Sequence, residues 1–137
     1  MSKRKSLIRV LVVIAIIAAA AIIVFVTVVI PKLEEGLKVL DTIEFGSLNL
    51  ASVNDGSYEG SYSAGIVKAT VRVKVENHAI TDIDILKHDN GKGKAAETIT
   101  AAVIKSQSVQ IDIITGATYS SKVILKAIEN AVTSSRQ

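Results

Sequence analysis

Four aliphatic hydroxyls crowd ten residues near the C-terminus, Asp112-Ile113-Ile114-Thr115-Gly116-Ala117-Thr118-Tyr119-Ser120-Ser121. A serine or threonine hydroxyl attacks poorly until a base takes its proton. This chain offers no base dedicated to that job, and no Ser-His-Asp arrangement can be argued from it. A strongly periodic helix follows and is expected to open near Ser120 or Ser121, either of which could cap it. The free N–H groups and the dipole at such a terminus suit a phosphate, by about 0.3–1 kcal/mol for the dipole alone. Gly116 and Ala117 leave the backbone uncluttered, so a second protein could approach Thr118 closely. Several hydroxyls beside a helix start, Thr115 among them, could hydrogen-bond an anion. A Thr-Gly-Ala-Thr turn before a helix is also an ordinary capped turn.

Several elements must position that loop. Asn54-Asp55-Gly56 is a turn signal, and the folded domain is expected to start there and run over 54–137. A first strand is expected over Tyr58 to Ser63. From Val67 to Glu76 apolar and polar residues alternate strictly (Val67, Ala69, Val71, Val73 and Val75 against Lys68, Thr70, Arg72, Lys74 and Glu76), which predicts a half-buried strand. Asn77-His78 reads as a hairpin turn, and a third strand follows around Ile83 and Ile85. His88 to Gly93 reads as a loop. Ala95 to about Ser106 reads as a helix with Ile99, Ala102 and Val103 on one face. Val109 to Ile113 is a candidate short strand. The last helix carries Ile124, Ala127, Ile128 and Ala131 on one face, and 134–137 reads as a frayed tail. The fold class is α+β, a small antiparallel sheet packed with helices.

The N-terminal third differs. Lys3, Arg4, Lys5 and Arg9 occupy the first nine residues without an acid, and the next 21, Val10 to Ile30, are polar only at Thr27. At roughly 1.5 Å per residue a helix of that length spans about 30 Å, the thickness of a bilayer core. Pro31 ends the span. A cleaved signal peptide would carry a shorter apolar core of about 7–15 residues, so the length favours an uncleaved transmembrane helix. The flanking cations favour a cytoplasmic N-terminus, placing the remainder outside the plasma membrane as a single-pass protein. Leu33, Leu37 and Leu40 suggest a short amphipathic helix within a juxtamembrane connector over 31–53.

The whole chain has 16 basic and 13 acidic residues; 16 less the four N-terminal cations leaves 12 against 13, a net of −1 beyond the span. The basic balance is thus a topology signal and gives no support to nucleic-acid binding. There is no cysteine, which excludes disulfides.

Two blocks resemble the FMN-binding domain family, found in the flavin-bearing subunits of the Rnf and Nqr redox pumps and in small extracytoplasmic flavoproteins. One is Asp55-Gly56-Ser57-Tyr58-Glu59-Gly60 ahead of the alternating strand; the other is Asp112 through Ser121. The likeness covers roughly 54–133. It implies that an FAD:protein FMN transferase reads the second block and esterifies the second threonine of the TGAT segment, Thr118, with FMN taken from FAD. Thr115, Gly116, Ala117, Ser120 and Ser121 then surround the phosphate, and Asp112 is a recognition residue for the transferase or its metal ion. Many members carry a Glu-Thr pair in a Gly-rich loop near the isoalloxazine. This chain has His88-Asp89-Asn90-Gly91-Lys92-Gly93-Lys94, as in a shorter branch, so ring contacts do not carry over to that loop.

The remaining candidates have bland readings beside functional ones. His88 could hydrogen-bond the flavin or carry a proton beside it, yet a solvated loop histidine is the commoner case. Tyr58 and Tyr62 share a strand face, and either could stack on the ring or simply pack. His78, Asp82, Asp84 and Asp89 have no recognisable metal-ligand spacing. Gly91-Lys92-Gly93-Lys94 lacks the spacing and hydroxyl of a nucleotide-phosphate loop. The resemblance favours an electron carrier between a membrane donor and an extracytoplasmic acceptor. The alternatives are a non-redox anchored binding module and a flavin-dependent reductase of a small acceptor.

Overall fold

A computed structural model describes residues 2–89 and 93–135. The chain divides into two compact units, residues 1–35 and 36–137.

The first unit is helical. Helix α1 spans Ser2–Val24, a π-helical turn follows at Phe25–Val29, and α2 runs over Ile30–Lys38. Helix therefore continues past Pro31, where the sequence suggested a stop. Proline has no N–H, and its ring crowds the carbonyl four residues earlier. The π turn absorbs that conflict, with the Ile30 N–H donating to the Phe25 carbonyl five residues back. Thr27, the one polar residue of the span, donates its hydroxyl to the Ile23 carbonyl at 2.7 Å, so no polar side-chain group is stranded among apolar ones. The continuous helix Lys3–Lys38 is long and apolar enough to cross a membrane.

The second unit is a three-stranded antiparallel sheet packed against helices. Strands β1 (Gly56–Ala64), β2 (Val67–Glu76) and β3 (Ala79–Asp89) lie in the order β1-β2-β3. Strand β2 has the bounds that its alternation predicts, and its five apolar residues are all buried. Gly65 turns β1 into β2 at φ 57°, and Asn77 and His78 turn β2 into β3 at φ 51° and 61°, the paired positive angles of a type I′ hairpin. The Asp55 carboxylate accepts the Asn77 N–H at 2.8 Å.

Strand β3 is irregular. Its pairing with β2 slips between Lys74 and Val75 and again between Thr70 and Val71. Each slip inserts one extra residue, Thr81 and Leu86, and each reverses which residues face the core. Ile80 is therefore buried on the same side as Ile83, and His88 lies opposite buried Ala69. His88 and Asp89 belong to this strand and not to a loop; residues 90–92 lie outside the described residues.

Beyond β3 come a 3-10 segment, Gly93–Thr98, and helix α3, Ile99–Ser106. Ile99 and Val103 are buried as expected, but Ala102 is exposed. Residues 109–113 form no strand. The nearby edge of β3 is met instead by Gln107, whose side-chain amide accepts from the Ile80 N–H at 2.7 Å and donates to the Ile80 carbonyl at 2.9 Å. One side chain thus does a strand's hydrogen bonding at that point. Gln107 itself ends α3 at φ 55°.

Helix α4, Thr118–Ser134, closes the core. Val123, Ile124, Leu125, Ala127, Ile128, Ala131 and Val132 are all fully buried. Each large aliphatic side chain among them contributes about 1.5–3 kcal/mol of hydrophobic stabilisation. The pattern-poor stretch before the sheet also feeds this core through Leu40, Leu50 and Val53. Its backbone runs alongside α4: Lys122 donates to the Leu40 carbonyl, Lys126 to the Glu44 carbonyl, and Glu129 accepts the Gly46 N–H.

Helix α4 meets β1 at Gly60, where a Cβ would overlap the Ala127 carbonyl oxygen and the Ala131 backbone. Gly60→Ala should therefore lower stability by about 1–3 kcal/mol, read as an earlier midpoint in chemical denaturation. An unchanged midpoint would mean that helix and strand do not touch there.

Candidate functional site

The hydroxyl-rich loop is built around a tight turn. The Ala117 N–H donates to the Ile114 carbonyl at 3.0 Å, and Gly116 has φ 80°. A positive φ at the third residue defines a type II turn and favours glycine there. A Cβ on Gly116 would meet nothing within 4 Å, so the turn faces open space.

Helix α4 begins directly behind the turn. Its first residue is Thr118, two positions before the expected start, and Ala117 takes the capping position without a side-chain cap. Ser120 and Ser121 consequently lie inside the first turn and do not cap it. Thr118 stands where a helix presents its free N–H groups, and no acidic side chain lies in that first turn. Thr118 is half-buried, whereas Thr115 and Gly116 are exposed.

Ser121 has a structural task that its sequence position did not reveal. Its buried hydroxyl donates to the Ala117 carbonyl at 2.8 Å and accepts the Ile114 N–H at 3.1 Å. One oxygen thereby ties both ends of the turn to the helix and leaves little capacity for a phosphate. Ser120 is 3% exposed, and no protein partner holds its hydroxyl among the described residues. Lys122, one helical turn beyond Thr118, is half-buried and donates to the Leu40 carbonyl at 2.6 Å.

The other candidates are not hydrogen-bonded to this turn among the described residues. Asp112 is exposed beside it. Tyr58 and Tyr62 pack on the core, and the Tyr58 hydroxyl donates to the Asn54 carbonyl at 2.9 Å. Tyr62 also lines a concavity of about 390 Å³ with residues 61, 63, 68–70 and 87, apart from 112–121. The His88 side chain is 2% exposed, and its Nδ1–H donates to the Glu97 carboxylate at 3.0 Å. It is therefore not a solvated histidine. Glu97 had no signal in the sequence, because only the second register slip turns His88 inward.

The arrangement can accommodate a phosphate: hydroxyls at a helix start, N–H groups that lack intrahelical acceptors, no carboxylate in the first turn, and open space beside Gly116. A family model described as the FMN-binding domain matches residues 63–133. An uncharacterized protein of Treponema pallidum (strain Nichols) is 30% identical over 82 residues, which cover 58% of this chain and 23% of that protein. The chain thus spans less than a quarter of the length of that relative.

Ser121→Ala should leave the Ile114 N–H without a partner and cost about 1–3 kcal/mol. The expected result is a lower unfolding midpoint and faster hydrogen exchange over 114–118. Wild-type exchange in the variant would remove Ser121 from this role.

Proposed function

This chain belongs to the FMN-binding domain family, and on that premise we propose that it is a membrane-anchored, extracytoplasmic electron carrier with FMN esterified to Thr118. The observation that carries the reading is the position of Thr118, first residue of α4 behind an open type II turn, inside the matched segment.

Attachment balances as a phosphoryl exchange. The Thr118 oxygen bonds to the flavin-side phosphorus of FAD, the P–O bond to the AMP half breaks, and AMP leaves. The hydroxyl proton goes to a base of an FAD:protein FMN transferase, since no base of this chain contacts Thr118 among the described residues. Exposure of Asp112 beside the turn supports a role in recognition by that enzyme or its metal ion. Once attached, FMN supplies the redox chemistry, taking electrons from a membrane donor and passing them to an extracytoplasmic acceptor. The chain's own share is to hold the phosphate. Free N–H groups of α4 would face the negative charge, Ser121 keeps the turn closed, and Thr115 and Ser120 would offer hydroxyls. Tyr58 and Tyr62 remain the candidate ring contacts, whereas His88, 2% exposed and turned to Glu97, offers no open face to the ring.

Anchoring is supported by the first unit. Its apolar side chains are about half exposed or more from Leu7 to Val26, a surface suited to a bilayer. The cations before it favour a cytoplasmic N-terminus. Tethering keeps the flavin at high effective concentration near membrane partners.

Intact mass of the full chain, co-expressed with a transferase and supplied with FAD, tests this. The expected gain is one FMN minus one water, abolished in Thr118→Ala. An unchanged wild-type mass beside active transferase would favour a non-redox anchored module.

A further inference from the structure

Among the described residues, no carboxylate balances the charge of Lys122. Its side chain is half-buried, and its ammonium donates to a neutral acceptor, the carbonyl of fully buried Leu40, at 2.6 Å. No carboxylate lies within 4 Å of it among the described residues, although Lys126, one turn further along the same helix, pairs with Glu129 at 2.9 Å. A partly desolvated ammonium without a counter-ion is unfavourable. The first turn of α4 holds no acid that could pair with it.

Lys122 is also four residues from Thr118. Residues i and i+4 share a helix face with Cβ atoms about 5–6 Å apart, and helical side chains lean toward the N-terminus. A phosphodiester on Thr118 would add one negative charge on the face toward which Lys122 leans. Resting on the proposed attachment at Thr118, we propose that Lys122 is the counter-ion of the attached phosphate. Its ammonium would bridge the phosphate oxygens and the Leu40 carbonyl, using two of its three donors. Attachment would then tighten the Leu40–Gly46 segment against α4. Lys122 is thus a positioning residue for the cofactor.

The test uses the full chain in detergent micelles, with and without attached FMN, for wild type, Lys122→Met and Lys122→Arg. Intact mass first establishes attachment in each. Attachment is expected to raise the calorimetric unfolding midpoint of the wild type by roughly 4 °C or more. Lys122→Arg should keep most of that gain. Lys122→Met should lose most of it despite the same gain in mass. A Lys122→Met gain equal to that of wild type, or no gain in wild type, overturns the assignment. Should Lys122→Met fail to fold or to take up FMN, ¹⁵N-lysine spectra of the wild type decide, with the Lys122 resonance identified by its loss in Lys122→Arg. That resonance should move on attachment, and a stationary one overturns the proposal. A wild-type mass that never rises rejects attachment at Thr118 itself, a separable failure.

Discussion

The close approach of α4 to β1 at Gly60 is the constraint on which the globular unit depends. A helix backbone lies against a strand backbone there with no room for a methyl group. That contact allows α4 to bury Val123 through Val132 on the core face of the sheet. It also sets how the helix lies across the sheet, and hence where its first residue stands. Asn130 reinforces the placement by donating to the Ser61 carbonyl beside Gly60. Because α4 is rigid and well packed, Thr118 is held on a fixed support although its own surroundings are open.

Around that support, three hydroxyl residues divide the work. Ser121 is spent inside the structure, closing the turn onto the helix. Thr118 remains available at the helix start, and Thr115 stays exposed at the crest of the turn. A loop that exposed all its hydroxyls equally would lack a reason to present one of them. The buried Ser121 hydroxyl ties the turn to the start of α4, and so fixes the backbone on which Thr118 stands. Lys122 and the Leu40 carbonyl extend this arrangement to the segment ahead of the sheet, so the site and that segment share one half-buried charge.

Much of this was legible in the residues. The alternation from Val67 to Glu76 marked β2 with its bounds, since a period of two has one reading when five valines and alanines line one side. Asn77-His78 marked a hairpin because few residue pairs accept two positive φ angles. Ile124, Ala127, Ile128 and Ala131 marked the buried face of α4. The block from Asp112 to Ser121 pointed to the family that the residue 63–133 match establishes. Other features escaped for physical reasons. Val109 and Ile111 look strand-like, but Gln107 already satisfies the Ile80 backbone that a strand there would meet. The helix start at Thr118 was masked by better capping residues at Ser120 and Ser121.

What the sequence determined by itself were properties carried by local pattern: the apolar span and its flanking charges, the alternating strand, the apolar helix face, and the hydroxyl-rich turn. What only the tertiary structure decided were properties set by packing between distant segments. One extra residue in β3, Leu86, turns His88 inward to Glu97, and no periodicity announces a register slip. Leu50 and Val53 join the core because α4 and the sheet leave an apolar surface for them to cover, not because their own spacing says so. The fate of Ser121 was likewise tertiary: burial and two hydrogen bonds occupy its hydroxyl, whereas Thr118 had already been singled out by the resemblance of the TGAT segment.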